Sequence, residues 1–391
     1  MSLTATAPTA LPVPWGLTDE QHEFVQAIRE FVRREAPTSA ERTAIFSPGG
    51  EVRREELLGK VAELGWIGVG LPEEYGGSGG GVFDTCLFTE EIARVLPVVG
   101  PMVSHVVAHV YLHFGTEEQK ADIIGGICNG RPEAIAISEP AAGSDVGNLS
   151  CRADPVDGGF VINGQKTWIS NAHASDHILL ICRTDPNGTK FDGVSMISVP
   201  TDAEGLEIRG IDTMVGKEVN DVFFSDVFAD AGQVVGDAGQ GWVQLMAGFN
   251  VERVLVGAVG VGMAIRALEE VLVYVNEREQ FGRKIGSFQV QKHRIAELAT
   301  EIACTRAFVH DVARRVDAEP ERMLAREASM VKLKASELAK RVSLECQAMM
   351  GGYGYATEYG MEMQVRQALG IIFGGGTSDI HRETIAKTFG L

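Results

Sequence analysis

QGWVQLMAGFNVERVLVGAVGVGMAIRALEEVLVYVNEREQFGR, from Gln240 to Arg283, is the stretch on which the reading of the chain turns. It opens on a glycine turn and holds no proline, and Val254, Ala258, Val261, Ala264, Leu268, Leu272 and Val275 recur at helical spacing. The spacing predicts one long helix, buried over most of its length. Glu252 and Arg253, side by side near its start, then have to pair or to meet a ligand, because a buried charge without compensation is costly. Gly257, Gly260 and Gly262 lower helix propensity, which points to close approach by another backbone or by a flat ligand. On this helix alone two readings stand: an acid favoured by the helix dipole with Arg253 solvated or paired locally, or an acid placed for chemistry.

Outward from that helix, composition narrows the classes. A chain of 391 residues with 45% hydrophobic content can build about two or three ordinary domains with a sizeable core. The formal net charge of -18 argues against a nucleic-acid or anionic-membrane surface, since a phosphate backbone needs a basic footprint. Cys86, Cys128, Cys151, Cys182, Cys304 and Cys346 are scattered, without CxxC or a His/Cys spacing that suggests a metal. They read as buried reduced thiols of a cytoplasmic protein. Met1 to Gly16 contains no Lys or Arg and no continuous apolar core, so it reads as a flexible tail rather than a signal peptide, and no run is long enough to span a bilayer.

In chain order, Thr18-Asp-Glu-Gln21 has the form of a capping box, and Phe24, Ile28, Phe31 and Val32 follow at helical spacing. Helices are expected over Arg53 to Leu64, Phe83 to Val95 and Val99 to Phe114, and after the cap at Thr116. The glycine-rich GWIGVGLPEEYGGSGGG between them lacks a GxGxxG register and a preceding strand, which excludes a Rossmann phosphate site. After Pro132 the pattern turns to strands. Asn163-Gly164 lies between apolar runs as a hairpin signal, and Lys166, Trp168 and Ser170 share one strand face by the period of two. HILLIC, GVSMISVP and DVFFSDV supply further strands, and helices return at Gly239. The expected division is a tail over 1–16, a helical domain over 17–133, an all-β domain over 134–238 and a helical domain over 239–391.

AISEPAAGSD at Ala136–Asp145, KTWISNA at Lys166–Ala172 and REQFGRKIGSFQ at Arg278–Gln289 resemble the acyl-CoA dehydrogenase family. GTEEQK at Gly115, DVFFSDV at Asp221, GGYGYATEY at Gly351 and GGTSDI at Gly375 follow in the family's order, so the similarity runs from about Leu17 to Leu391. The resemblance implies an α+β fold: an N-terminal helical bundle, a middle β-barrel and a C-terminal four-helix bundle. It also implies FAD, oxidation of an acyl-CoA between Cα and Cβ, an electron-transferring flavoprotein as acceptor, and a tetramer, homomeric or built from unlike subunits. A flavin needs a flat apolar slot with a few polar edges. By resemblance Ile137 and Ser138 meet the flavin edge, Trp168 packs on the ring system and Ser170 bonds near N5. Arg278 resembles the pyrophosphate ligand, where a guanidinium fork suits two oxygens. Phe281 and Gln289 resemble adenine-side contacts that reach a neighbouring subunit's FAD; Gly352, Thr377 and Asp379 match FAD-contacting positions; Ser144 matches a pantetheine contact.

The chain departs from the family where the base is concerned. Many members read Tyr-Glu-Gly-Thr with Glu as the base, whereas Gly374-Gly375-Gly376-Thr377 carries no carboxylate, although the Gly375 backbone N–H remains available to a developing enolate. In the isovaleryl- and long-chain subset the base moves to the long helix, and that subset's Glu-Arg pair matches Glu252-Arg253. Glu252 is therefore the expected base, its carboxyl raised by desolvation when substrate closes the pocket, and Arg253 steadies the CoA side. Gly374 and Gly375 take two side chains out of the pocket wall, which leaves room for a branched or bulky acyl group. The glutamine that precedes the family's Gly-Gly falls by count on Ala348, with Gln347 one position early. Two other readings belong to the same fold: a flavin monooxygenase or oxidase, and a non-catalytic partner subunit of a heteromeric enzyme.

Overall fold

The computed structural model describes residues 11–46, 50–96, 100–320 and 322–391. Residues 1–10 of the expected tail, and Val99, the expected start of a helix, lie outside the described residues. Six helices come first: α1 Asp19–Glu35, α2 Ser39–Ala44, α3 Glu51–Glu63, α4 Val82–Ile92, α5 Gly100–Phe114 and α6 Glu117–Cys128. Strands follow: β1 Ala134–Ala136, β2 Arg152–Val156, β3 Gly159–Ser170, β4 His177–Arg183, β5 Val194–Pro200, β6 Leu206–Thr213, β7 Gly216–Asp230 and β8 Val234–Val235. The long helix α7 spans Gly241–Glu277 and leads into a hairpin of β9 Glu279–Gln280 and β10 Arg283–Lys284. Then come α8 Gln289–Ala318, α9 Ala325–Met350, α10 Gly352–Tyr355, α11 Met361–Gly370 and α12 Ser378–Lys387. Capping boxes start α1 at Thr18 and α6 at Thr116, as their sequences predict.

By packing, the chain groups into two compact units; of the four cuts one falls inside α3 and one inside α7, the latter between Glu252 and Arg253. One unit, 1–58, 81–98 and 253–391, is helical. Its centre is the stretch of α7 from Val254 to Val271, where nearly every side chain is buried. The glycines of that stretch have their explanation in neighbouring helices rather than in a ligand. A Cβ on Gly260 would lie 2.8 Å from the Ala335 carbonyl oxygen of α9, and one on Gly262 would lie 2.3 Å from the Glu90 carbonyl oxygen of α4. A Cβ on Gly257 would meet the Val331 side chain at 2.4 Å.

Ion pairs tie the same helices together in the interior. Glu90 meets Arg306 at 2.5 Å and His310 at 2.9 Å, Glu91 meets Arg29 and Arg94, and Arg94 reaches Glu269 at 2.7 Å. Asp317 of α8 accepts from the backbone N–H groups of Val82 and Phe83 and so satisfies the open donors at the start of α4. The described end of the expected tail is tied down: Arg306 donates to the Pro12 carbonyl at 2.7 Å and Arg314 to the Gly16 carbonyl at 3.3 Å.

The other unit, 59–80 and 99–252, holds α5, α6 and the sheet. The expected barrel is an eight-stranded sheet in the order β6-β7-β3-β2-β4-β5-β8 with β1 beside β4, so β6 and β8 end the hydrogen-bonded path among the described residues. Its core is Ile162, Ile169, Ile178, Leu180, Ile197, Val222 and Phe224 with neighbouring small residues. The hairpin expected at Asn163-Gly164 lies elsewhere. β2 and β3 are joined through Asp157-Gly158, with Val156 paired to Gly159, and β3 runs on through Asn163-Gly164 with a register shift against β7. Asp-Gly is as good a turn as Asn-Gly. Gly164 instead permits a close crossing, for a Cβ there would stand 2.7 Å from the Cα of Cys151. All six cysteines are free; five are buried as expected, and Cys304 is exposed. No described helix is long and apolar enough to cross a membrane.

Candidate active site

The sheet contributes one constellation. β3 and β7 slip register between Lys166 and Ile169, and Trp168 sits in that bulge with φ 64. The slip breaks the period of two on which Lys166, Trp168 and Ser170 were expected to share a face. Lys166 is fully buried, Trp168 is 60% exposed and Ser170 is half-buried. A tryptophan held outward at a left-handed φ is a strained, costly arrangement for a strand to keep. Asn171, also left-handed at φ 64, follows Ser170 and donates through Nδ2 to the Glu133 carbonyl at 2.9 Å.

Ile137 and Ser138 are brought to the same place by hydrogen bonds. The Thr167 N–H donates to the Ser138 carbonyl at 2.9 Å, and Lys166 Nζ donates to the Ile137 carbonyl at 2.9 Å and to Glu139 Oε1 at 2.8 Å. Glu139 in turn accepts from Ser150 N and Oγ and from Cys151 N. Burial pushes the Glu139 carboxyl up, but Lys166 and these donors outweigh it and hold the group below its ordinary range. Hydrogen bonds from Lys166 and Thr167 thus hold the Ile137-Ser138 segment alongside the part of β3 that carries Trp168 and Ser170. Ser144 lies six residues beyond Ser138 in an exposed loop of the same unit.

The helical unit carries a second group of these residues. Arg278 follows α7, and its guanidinium carbon lies 5.1 Å from the centre of the Tyr353 ring, beside Gly352, where an added Cβ would meet nothing. Arg278 and the Gly351-Gly352 turn are thus brought together. Gln347 is half-buried on α9 and Ala348 is exposed. Phe281 forms, with Gly282, the two-residue turn between β9 and β10; it has φ 54 and is 94% exposed. Gln289 is the exposed first residue of α8.

Gly374 to Gly376 form a loop that closes on Thr377, whose hydroxyl caps α12 by accepting from Ile380 N. Gly375 and Gly376 have φ 65 and 96, open space surrounds Gly374, and Asp379 is exposed and paired with Arg382 at 2.8 Å. Two residues absent from the sequence reading hold this loop. Lys332, wholly buried on α9, donates to the Ile372 carbonyl at 2.9 Å and the Gly376 carbonyl at 2.5 Å. His381 Nε2 bonds to the Gly375 carbonyl at 3.0 Å. Only Lys332 leaves a signal in the sequence, a lysine on the apolar face formed by Ala328, Val331 and Ala335. Arg253 lies close enough to His381 for its charge to be felt at the imidazole. Glu252, its neighbour in the chain, is half-buried on α7.

Burial drives three imidazoles below their ordinary value: His105 to about 4, His109 to about 3, and His381 to about 4, the last helped by the charges of Lys332 and Arg253. On α5, His105 is buried and His109, one turn on, is half-buried. In the unfolded chain each takes a proton below about pH 6.5, whereas in the folded protein each stays neutral further down. Their contribution to stability is complete above about pH 6.5 and is lost as the pH falls towards 4. Urea unfolding between pH 7 and 5 is expected to show falling stability, and His105→Phe is expected to flatten that slope by up to about one proton. An unchanged slope in the variant contradicts the assignment.

The chain belongs to the acyl-CoA dehydrogenase family: residues 18–131, 134–227 and 239–390 match the N-terminal, middle and C-terminal domains of acyl-CoA dehydrogenases in turn. It is 34% identical over 378 residues to the probable acyl-CoA dehydrogenase YngJ of Bacillus subtilis (strain 168), covering 95% of this chain and 98% of that one. With the mitochondrial isovaleryl-CoA dehydrogenase of Solanum tuberosum it shares 32% identity, covering 94% of this chain and 90% of the relative. The crystal structure of an acyl-CoA dehydrogenase from Geobacillus kaustophilus superposes with a TM-score of 0.87 at 30% identity, over 97% of this chain and 100% of that one. The fold is accordingly that of the family, with helical N- and C-terminal segments and a middle sheet, and the protein is an enzyme of this class.

Proposed function

We propose that the protein oxidises an acyl-CoA thioester to the trans-2-enoyl-CoA with FAD as cofactor, and that Glu252 takes the α-proton. The observation that supports the base most is the pairing of two facts: the Gly374–Gly376 loop carries no carboxylate, and Arg253, next to Glu252 on α7, lies within electrostatic reach of His381, the α12 residue that bonds to that loop. The residues fit the cofactor. Trp168 is a flat apolar surface held outward from the sheet beside the anchored Ile137-Ser138 edge and Ser170, and the Arg278 fork stands by a glycine turn that leaves space for phosphate. Thr377 and Asp379, at the start of α12, complete the set. Phe281 and Gln289, exposed around the β9–β10 hairpin, are proposed to meet the FAD of a second subunit, which accounts for a phenylalanine kept in water at a left-handed φ.

FAD, when bound, supplies the acceptor for the hydride that leaves Cβ. The protein's own part is to take the α-proton on Glu252, to donate from the Gly375 N–H to the thioester carbonyl as it gains negative charge, and to seat CoA by Ser144 and Arg253. The open space at Gly374 favours a branched or bulky acyl group. We further propose an electron-transferring flavoprotein as the electron acceptor, a homotetramer, a cytoplasmic setting, and domains over 17–133, 134–238 and 239–391. Anaerobic mixing of the purified yellow protein with a panel of straight, branched and ring-bearing acyl-CoAs tests the reaction. Rapid flavin bleaching by at least one of them is expected. A flavin that none of them bleaches, or a colourless protein, rules the dehydrogenase reading out.

A further inference from the structure

The loop that carries Gly375 is held in a way that a simple chain reversal does not need. Three of its carbonyls, those of Ile372, Gly375 and Gly376, accept from two side chains of the helical interior. Lys332 is wholly buried, and a buried ammonium is expensive unless its donors are used. It spends two of them on backbone carbonyls only two residues to either side of Gly374. His381, buried and 3.0 Å from the Gly375 carbonyl, holds the next peptide. Gly375 and Gly376 adopt left-handed φ values of 65 and 96, and a Cβ on Gly376 would come within 3.1 Å of His381 Nε2. Peptide planes are rigid, so a carbonyl fixed on one side fixes the N–H on the other. Pinning the planes that follow Ile372, Gly375 and Gly376 leaves two planes between them, Phe373–Gly374 and Gly374–Gly375, and this short span limits how far the Gly375 N–H can turn, although glycines are the residues most able to do so.

We propose that Lys332 and His381 are positioning residues that lock the Gly374–Gly376 loop so that the Gly375 N–H is presented as a preorganised donor to the substrate's thioester carbonyl. Neither side chain touches substrate in this scheme; both act through the backbone. The inference rests on the reading of Gly375 given above. A donor that does not reorient as charge develops is worth more than one that does, which is the advantage of such a clamp around glycines.

The test compares two ligands that are not turned over, bound to the FAD-loaded full-length protein and followed by calorimetry: a trans-2-enoyl-CoA, and the thioether of the same chain length that lacks the carbonyl. Wild type is expected to prefer the thioester. Lys332→Met and His381→Ala are expected to cut that preference by about tenfold, through weaker thioester binding at unchanged thioether affinity. His381→Asn, which keeps an N–H donor, is expected to restore part of it. Equal losses for both ligands, or a full preference in both variants, overturn the proposal while leaving the role of Gly375 intact. A wild type with no preference for the carbonyl removes the Gly375 donor itself, and the clamp's purpose with it. Should Lys332→Met fail to fold, the two His381 variants carry the comparison.

Discussion

Glu252→Gln is expected to slow flavin bleaching by acyl-CoA at least about a hundredfold, with FAD content and product affinity retained, because a positioned general base contributes about 10²–10⁴ in rate. Glutamine keeps the size and one carbonyl acceptor of the side chain but has no basicity, so packing around α7 is preserved while proton transfer is lost. Rapid mixing under anaerobic conditions measures this, and an FAD-replete variant within tenfold of wild type would falsify the assignment. A second variant sharpens it. By resemblance Gly375 matches the position at which many members of the family carry their glutamate, and its φ of 65 makes a side chain there cost about 1–2 kcal/mol without forbidding it. Adding Gly375→Glu to Glu252→Gln is expected to recover part of the rate. Recovery would show that the carboxylate, not the helix that delivers it, is what the reaction requires.

The long helix was legible because an apolar period over many residues has few other solutions, and the caps at Thr18 and Thr116 because a hydroxyl and a glutamine at that spacing satisfy two donors at once. The sheet was legible as strands but not in register. Asn163-Gly164 and Asp157-Gly158 are equivalent as local turn signals, and only pairing with β7 decides that the chain bends at the second and bulges at the first. The same bulge defeated the period of two at Trp168. Trp168 is outward because an extra residue reverses the alternation after Lys166, and a bulge leaves no reliable mark in one sequence. The charges inside the helical unit were missed for a related reason. Glu90, Glu91, Glu269 and Glu270 stand in predicted helices, yet Arg306, Arg29, Arg94 and Arg42, which meet them in that order, come from distant segments that only packing brings together. Glu252 and Arg253 stood out as adjacent charges on a helix expected to be buried; Lys332 and Lys166 would stand out equally, each weighed as a charge on an apolar face.

Lys166→Met is expected to destabilise the sheet by about 3–5 kcal/mol, the cost of leaving one member of a buried ion pair without its counter-charge. Both side chains are almost wholly buried and 2.8 Å apart. The methionine fills nearly the same volume, so cavity formation contributes little and the loss is electrostatic. The pH dependence separates this from a general loss of packing. With Lys166 present the Glu139 carboxyl is held below its ordinary value, so its contribution is present at neutral pH and fades as acid protonates it. Without the ammonium, burial, already the largest influence on this group, is left opposed only by hydrogen bonds from Ser150 and Cys151, and the carboxyl is expected to move upward. The difference between variant and wild type in urea unfolding should then shrink from pH 7 to pH 5, where Glu139 can accept a proton in the folded variant. Glu139→Gln added to Lys166→Met removes the stranded charge and is expected to regain at least about 1 kcal/mol at pH 7. Because Lys166 also holds the Ile137 carbonyl, the single variant should bind FAD more weakly than the loss of stability alone predicts, with the shortfall persisting in the double variant. A stability difference independent of pH, or an FAD affinity equal to wild type in the folded fraction, would mean that the buried pair supports the sheet without shaping the flavin edge.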